Sequence, residues 1–136
     1  MRTKILMTML FVCATAHLWA QAEPGFEDSM SKVGVASWYA EFSPGINETT
    51  ANMEIFDSSQ LTCAIWDVPF DTMIRVTNLE NAKSIVVRVN DRGPAKRLVR
   101  EGRIIDLTRE AFARIADLGE GLIKVRIEIM EIDGSA

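Results

Sequence analysis

Apolar and polar residues alternate along several segments of the chain, and this alternation predicts β-strands. The clearest case is 123–130, where isoleucine and valine alternate with lysine, arginine and glutamate. A period of two places the apolar side chains on one face of a strand and the charged ones on the other. The segments 33–39, 73–78 and 84–89 are rich in β-branched or aromatic residues and are bounded by polar or turn-forming ones. Four strands are therefore predicted.

One further segment has the period of a helix instead of a strand. Between residues 108 and 118, apolar side chains recur every three or four positions and so share one face. Thr108 can cap the start of such a helix, and Gly119 follows its end as a stop signal. The sequence predicts one short amphipathic helix at 108–118.

Two connections between these elements also have a predicted shape. The polar segment 78–83 joins two predicted strands and is typical of a hairpin. The segment 56–64 contains Asp57 and Ser58, either of which can cap a helix, so a short helical turn is expected there. Many strands with one or two short helices in a chain of 136 residues indicate a single, mainly β barrel.

The first 22 residues have the pattern of a secretory leader. Two basic residues precede a short apolar run, and the run is followed by Ala20-Gln21-Ala22, the small-residue pattern of a cleavage site. The apolar run is too short to anchor a mature protein, which needs about 20 apolar residues to span a bilayer. Cys13 is not expected to be lipidated, because the bulky Val12 precedes it.

The expected boundaries are a leader at 1–22, a flexible segment at 23–32, one β domain at 33–131 and a C-terminal tail at 132–136. Loss of the leader removes two basic residues and no acidic ones, so the formal charge changes from −4 to −6. An exported protein this acidic is not expected to bind nucleic acid. Cys63 is then the only cysteine, which favours a small buried side chain over a bridge to a second chain.

Candidate chemistry is concentrated where the strand 84–89 ends. Asn90, Asp91 and Arg92 follow the strand, and Gly93-Pro94 comes next as a turn signal. Charged residues in such loops often form functional sites. Asp91 has a second interpretation, in which it caps the turn by accepting backbone amides and pairs with Arg92.

Basic residues cluster around the same turn, while the flanking segments are acidic. A solvated loop and an anion-facing site explain the cluster equally well. Its members fall within sixteen positions and are Arg88, Arg92, Lys96, Arg97, Arg100 and Arg103.

Seven segments resemble, in order and spacing, the successive motifs of the rare lipoprotein A (RlpA) family. The match extends over about 33–130, nearly all of the expected domain, so it is more specific than a chance hexapeptide. The segments are GVASWY at 34–39, TANMEIFD at 50–57, LTCA at 61–64, PFDT at 69–72, IRVTNL at 74–79, VRVNDRGP at 87–94 and RIIDLT at 103–108.

This resemblance implies a double-psi β-barrel, a closed barrel of six strands with one or two short helices. It also implies export to the bacterial periplasm or the outer membrane and lytic transglycosylase activity on peptidoglycan. Such an enzyme cuts peptide-stripped glycan strands between N-acetylmuramic acid and N-acetylglucosamine and leaves a 1,6-anhydromuramic end. The family needs no metal or other cofactor, and cell-division envelope proteins are candidate partners.

By the same resemblance, Asp91 matches the catalytic aspartate and Glu54 the second functional acid. The reaction needs a carboxylic acid to protonate the glycosidic oxygen and a base to deprotonate the 6-hydroxyl of the sugar. Glu54 either holds the sugar or shares these proton transfers. The residues expected to contact substrate are Arg92, Asn90, Trp38, Tyr39 and Asn52.

Some of these side chains have a structural alternative. Trp38 and Tyr39 either stack on sugar rings or fill the barrel. Arg92 is expected to point towards the substrate or a neighbouring loop. Asp106 is expected to fix a turn or to pair with a basic group, with a catalytic role as the alternative.

Three positions depart from the family motifs. Ile65 stands where the family has a histidine, and isoleucine can neither donate, accept nor titrate. The proton transfer or hydrogen bond made there is then absent or supplied by another group, such as Asp67 or a water. Met53 replaces the glycine of TANGE and is expected to narrow the groove or to require a negative φ. Ala40 replaces the glycine that usually follows SWY. These departures leave open a catalytically impaired glycan-binding envelope protein, and an expansin-like protein or a hydrolase on the same barrel remains a third hypothesis.

Overall fold

The computed structural model describes residues 31–130, which form a closed six-stranded β-barrel. The order of the strands around the barrel is β1-β5-β2-β4-β3-β6. The strands are β1 Ser31–Tyr39, β2 Thr62–Ala64, β3 Met73–Asn78, β4 Ser84–Asp91, β5 Arg103–Thr108 and β6 Ile123–Ile129. Two short helices, α1 Lys96–Arg100 and α2 Arg109–Ala113, lie on either side of β5 in the sequence, and a 3-10 turn spans Leu118–Glu120.

The predicted fold class is confirmed, since the described residues form the six-stranded barrel with two short helices. The predicted leader at 1–22, Cys13, the tail at 132–136 and most of the segment 23–32 lie outside the described residues. Strand β1 begins at Ser31, two residues before the expected start of the domain, and Ser31 pairs with Glu128 of β6.

The four predicted strands are confirmed as β1, β3, β4 and β6, and the antiparallel pairing of β3 with β4 confirms the hairpin at 78–83. The predicted helical turn at 56–64 is wrong. Asp57 closes a tight turn by accepting the backbone N–H of Ser59 at 2.9 Å, and strand β2 follows. All three residues of β2 are buried between β4 and β5, because β2 pairs with both.

The helix predicted at 108–118 is shorter than its apolar period indicates. Helix α2 ends at Ala113, and a separate 3-10 turn begins at Leu118. Thr108 occupies the N-cap position, but its hydroxyl donates to the carbonyl oxygen of Gln60 at 2.5 Å instead of capping the helix. The short helix α1 was not predicted.

The core of the barrel is built from the inward faces of all six strands. Strand β5 lies between β1 and β2, so its Leu107 is paired with Trp38 on one side and Cys63 on the other. Leu107 and Cys63 are fully buried, which confirms the predicted interior position of the cysteine. A closed barrel leaves no exposed strand edge for other chains to pair with.

One rung of the barrel places two carboxylates near each other. Ala64 of β2 pairs with Asp91 of β4 on one side and with Asp106 of β5 on the other. Residues on one rung point to the same face of a sheet. In the described part of the chain, no helix is long and apolar enough to cross a membrane.

Replacing Leu107 with alanine should destabilise the barrel strongly. Leu107 is fully buried in the core of the barrel, and truncation leaves a cavity that costs about 2–5 kcal/mol. The free energy of unfolding measured by urea denaturation tests this expectation. Leu122→Ala is the matched control, because that side chain is 51% exposed and its loss should change stability by less than about 0.5 kcal/mol. Equal losses in both variants would contradict the assignment of the core.

Candidate functional site

Asp91 ends strand β4, and three donors hold its carboxylate in place. Oδ1 accepts the backbone N–H of Ala51 at 3.0 Å and that of Arg92 at 2.8 Å. Oδ2 accepts the hydroxyl of Tyr39 at 3.2 Å. Each carboxylate oxygen has two lone pairs, so both acceptor positions of Oδ1 are occupied and one position of Oδ2 is free. Asp91 thus caps its turn and still offers one oxygen to a ligand.

Tyr39 reaches this site with its hydroxyl and not with its ring. The ring is buried and stacks on Phe56, with centroids 4.7 Å apart. Burial and the negative charge of Asp91 raise the pKa of Tyr39 far above its ordinary value, so the phenol stays protonated and keeps donating. Tyr39 therefore orients Asp91, and neither face of its ring is open to a sugar.

Glu54 lies in the loop 50–54 and accepts four hydrogen bonds. Arg88 of β4 binds it through both guanidinium arms, Nη1 to Oε1 at 2.7 Å and Nη2 to Oε2 at 3.0 Å. Asn52 donates to Oε1 and Asn90 to Oε2, each at 3.0 Å. These donors, with Arg88 first, lower the pKa of Glu54 to about 2. Glu54 is a carboxylate at neutral pH and has no unoccupied lone pair.

The loop 50–54 is a tight turn held against the end of β4. The Thr50 hydroxyl donates to Oδ1 of Asn52 at 2.6 Å, and the backbone N–H of Asn52 donates to the carbonyl of Asn90 at 3.3 Å. Met53 has a φ of 72°, the left-handed conformation that favours glycine. The expectation of a negative φ at Met53 is wrong, and its side chain is 79% exposed at the rim of the site.

Arg92 points away from the carboxylate of Asp91, as the sequence led us to expect. Its Nη1 donates to the carbonyl of Ile65 at 3.1 Å, and its guanidinium carbon lies 3.9 Å from the centre of the Phe70 ring. No ion pair joins Arg92 to Asp91. The Arg92 side chain is therefore held against the loop 65–70, and no acidic side chain among the described residues neutralises its charge.

Trp38 is not part of this cluster. Its indole N–H donates to the carbonyl of Leu118 at 3.1 Å. Its ring packs against that of Phe42 in a T-shaped arrangement, with the two ring centroids 6.3 Å apart. The structure thus brings most of the predicted residues together and leaves Trp38 apart. Those that meet are Asp91, Glu54, Asn90, Asn52, Tyr39 and Arg92.

The site opens into a cavity of about 310 Å³, lined by Asp91, Arg92, Met53 and residues of the loop 45–51. Arg88, which sequence reasoning had placed only within the basic cluster, proves to be the main partner of Glu54. The sequence signal for this role is weak, consisting of one charged residue within the apolar strand 84–89. No group of acidic, histidine or cysteine side chains among the described residues could hold a metal ion.

Ile65 and Asp106 flank the site from the barrel side. Ile65 is 5% exposed and packs into the core, so this position offers Asp91 only its backbone N–H, which donates to the Asp91 carbonyl at 3.3 Å. Asp106 accepts the hydroxyl of Ser37 and has no basic group within ion-pair distance among the described residues. Burial, with a smaller contribution from the charge of Asp91, raises the pKa of Asp106.

Residues 31–127 match the family model described as lytic transglycolase. A Vibrio cholerae protein named endolytic peptidoglycan transglycosylase RlpA is 42% identical over 109 residues, which is 80% of this chain and 38% of that protein. The protein of the same name from Yersinia pestis is 42% identical over 107 residues, 79% of this chain and 28% of that protein. The chain thus spans about a third of the length of these relatives.

Two solved structures share the fold. The Streptomyces papain inhibitor superposes with a TM-score of 0.59 at 23% identity, over 76% of this chain and 96% of the inhibitor. An expansin from Clavibacter michiganensis gives 0.58 at 20% identity, over 78% of this chain and 53% of the expansin. At these identities the similarity establishes the barrel alone.

Replacing Met53 with glycine should stabilise the protein. A left-handed backbone costs an L residue about 1–2 kcal/mol, and the extra freedom of glycine in the unfolded chain offsets about 0.4–1 kcal/mol of that gain. The free energy of unfolding should rise by up to about 1.6 kcal/mol. Met53→Ala is the control, because it removes the exposed side chain and keeps the strained backbone. A similar gain in both variants would show that the side chain, and not φ, is responsible.

The stabilising effect of Glu54 should depend on pH. Its pKa is about 2 in the folded protein against an ordinary 4.5, so its contribution is complete above pH 4.5 and disappears as the pH falls towards 2. The difference in unfolding free energy between the wild type and Glu54→Gln should shrink over that range. In an Arg88→Met background the difference should be small at every pH. An undiminished difference at pH 2 would rule out this ionic contribution.

Proposed function

We propose, because the chain belongs to the lytic transglycolase family, that it cleaves the glycan strand of peptidoglycan. The family resemblance drawn from the sequence motifs is confirmed by the family match and by the relatives named RlpA. The proposed cut lies between N-acetylmuramic acid and N-acetylglucosamine in strands without stem peptides and leaves a 1,6-anhydromuramic end. The proposed location is the periplasm or the outer membrane, after removal of the leader at 1–22.

The observation that supports this proposal most directly is the free lone pair on Oδ2 of Asp91 at the wall of the 310 Å³ cavity. In the acid form, Oδ2 gives its proton to the glycosidic oxygen as the bond from that oxygen to C1 of muramic acid breaks. In the carboxylate form, the same oxygen takes the proton of the 6-hydroxyl as O6 attacks C1. The proton is returned, no water is added, and the new end is the 1,6-anhydro sugar.

Tyr39 and the amide of Ala51 keep the catalytic carboxyl in one orientation throughout this cycle. The hydroxyl of Tyr39 donates to Oδ2 whether or not the other lone pair of that oxygen bears a proton. The two backbone amides fix Oδ1, so the carboxyl cannot rotate without losing two hydrogen bonds. Such preorganisation lowers the cost of reaching the transition state.

The role we propose for Glu54 is to position Asp91. Its four lone pairs are filled by protein donors, so binding a sugar hydroxyl would require one of those bonds to break. The carboxylate ties the loop 50–54 to β4, and this loop supplies the Ala51 amide that holds Asp91. Asn52 and Asn90 support Asp91 indirectly, because both donate hydrogen bonds to Glu54.

A glycan-binding protein without turnover is the second candidate function, and Ile65 is the observation that favours it. The side chain that replaces the family histidine is packed into the core and offers no polar group to the site. If the histidine is required for proton transfer, this barrel binds strands and leaves them intact. Product analysis separates the two functions.

Asp91→Asn should abolish product formation while the fold is kept. Asparagine still accepts the two backbone amides through its carbonyl oxygen, and it cannot exchange a proton with the substrate. Mass spectrometry of soluble products from peptide-stripped glycan strands should show anhydro-ended fragments for the wild type and none for the variant.

Glu80→Gln is the matched control, because Glu80 is exposed on the connection between β3 and β4 and its change also removes one negative charge. That variant should give wild-type products. Fragments ending in a reducing sugar with added water would instead identify a hydrolase. Retention of strands by the wild type without any fragments would support the binding function.

A further inference from the structure

The two arginines nearest the site differ in how their charges are balanced. Arg88 is neutralised by Glu54 and also by Asp71, whose carboxylate lies 2.9 Å from Nη1. Arg92 lines the cavity that contains Asp91, yet it forms no ion pair within residues 31–130. Arg92 thus carries a positive charge that no acidic side chain among the described residues balances.

A second cation, Lys96, begins helix α1 four residues after Arg92 and is held in the same way. The Nζ atom of Lys96 lies 3.7 Å from the centre of the Trp66 ring. The indole N–H of Trp66 in turn donates to the carbonyl of Pro94 at 2.6 Å. Lys96 also lacks an ion-pair partner in the described part of the chain.

Contact with aromatic rings fixes these cations without neutralising them. A cation above a ring is attracted by the negative face of the ring, and it retains its full charge for another ligand. Arg92 loses little further freedom on binding, because Phe70 and the carbonyl of Ile65 already hold its guanidinium. A preorganised guanidinium with free N–H groups is well suited to bind a carboxylate.

We propose that Arg92, supported by Lys96, forms an anion subsite that binds the lactyl carboxylate of the N-acetylmuramic acid at the scissile bond. This inference rests on the proposed function. The lactyl group is attached to O3 of the same ring whose C1 faces Asp91 during cleavage. Arg92 follows Asp91 in the sequence and lines the same cavity, so the proposal places its guanidinium beside the ring on which Asp91 acts.

The subsite explains how the barrel distinguishes two forms of its substrate. In a strand without stem peptides the lactyl carboxylate is free and negatively charged. In an unprocessed strand the same carbon forms an amide with the first amino acid of the peptide, so its charge is lost and the peptide occupies the space beside it. The ion pair with Arg92 can form only in the first case.

The test is equilibrium binding of glycan fragments to the Asp91→Asn protein, measured by isothermal titration calorimetry. One set of fragments carries free lactyl carboxylates, and in the other each carboxylate is converted to a methylamide. A charge-assisted pair of about 1.5 kcal/mol corresponds to about tenfold tighter binding of the free carboxylates at low salt. This advantage should decrease as sodium chloride is added, since salt screens exposed charges.

Variants assign the advantage to the subsite. Adding Arg92→Gln should reduce the binding of free carboxylates to the level of the methylamide, and Arg92→Lys should restore part of the difference. Lys96→Gln should reduce the advantage by a smaller factor, and it provides a second test should Arg92→Gln disturb the loop 65–70. Arg126→Gln is the matched control, because Arg126 is exposed on β6 and its loss should leave the advantage unchanged.

The outcomes separate this proposal from the proposed function. Equal affinity for the two sets of fragments, or an unchanged advantage in both Arg92→Gln and Lys96→Gln, would overturn the subsite even if the wild type yields anhydro products. A tenfold advantage that depends on Arg92 would establish the subsite even if the wild type yields no products, and only the transglycosylase assignment would then fail.

Discussion

The bidentate ion pair between Arg88 and Glu54 is the contact on which the geometry around Asp91 depends. It joins strand β4 to the loop 50–54, and the same loop provides the amide that fixes the carboxylate of Asp91. A partly exposed ion pair contributes little stability by itself, because water competes for both charges. Here the pair is part of a network with two asparagine amides, and its main effect is to determine where the loop lies.

Because of this network, every lone pair of the Glu54 carboxylate accepts a hydrogen bond, whereas one lone pair of the Asp91 carboxylate does not. The carboxylate of Glu54, in the loop 50–54, receives four donors, and that of Asp91, at the end of β4, receives three. The difference of one lone pair distinguishes a group that braces the protein from one that can exchange a proton with a ligand. Arg92 increases the difference between the two carboxylates. It is turned towards Phe70, so Asp91 has no neutralising partner among the described residues, whereas Glu54 has Arg88.

The sequence predicts the fold well where a strand is long enough to show a period. Strands β3 and β6 have one buried and one exposed face, so their alternation is visible. Strand β2 has three residues, all buried, and no period can appear in so short a segment. Strand β5 is mostly buried, because the helices α1 and α2 also pack against it, and its apolar run lacks clear alternation. Both strands therefore escaped detection.

The site is only partly predictable from the sequence for a similar reason. Asp91 stands out because it ends a strand at a turn and matches a family motif. Its supporting contacts join residues far apart in the chain, such as Tyr39 to Asp91 across 52 positions and Arg88 to Glu54 across 34. These pairs meet only because the barrel closes. Local sequence patterns carry no information about these pairs. The four hydrogen bonds that Glu54 accepts can therefore be found only from the structure.

The two departures at Ile65 and Met53 affect the site through different physical routes. Met53 keeps the backbone conformation expected of glycine, so the loop 50–54 retains its shape at some cost in stability. Ile65 removes a titratable side chain and replaces it with core packing, while its backbone still contacts the Asp91 and Arg92 segment. With Ile65 and Met53 in place, all three hydrogen bonds to the Asp91 carboxylate are formed. In the function we propose, one polar group is missing from the site, and proton transfer relies on Oδ2 of Asp91, which Tyr39 and the amides of Ala51 and Arg92 hold in place.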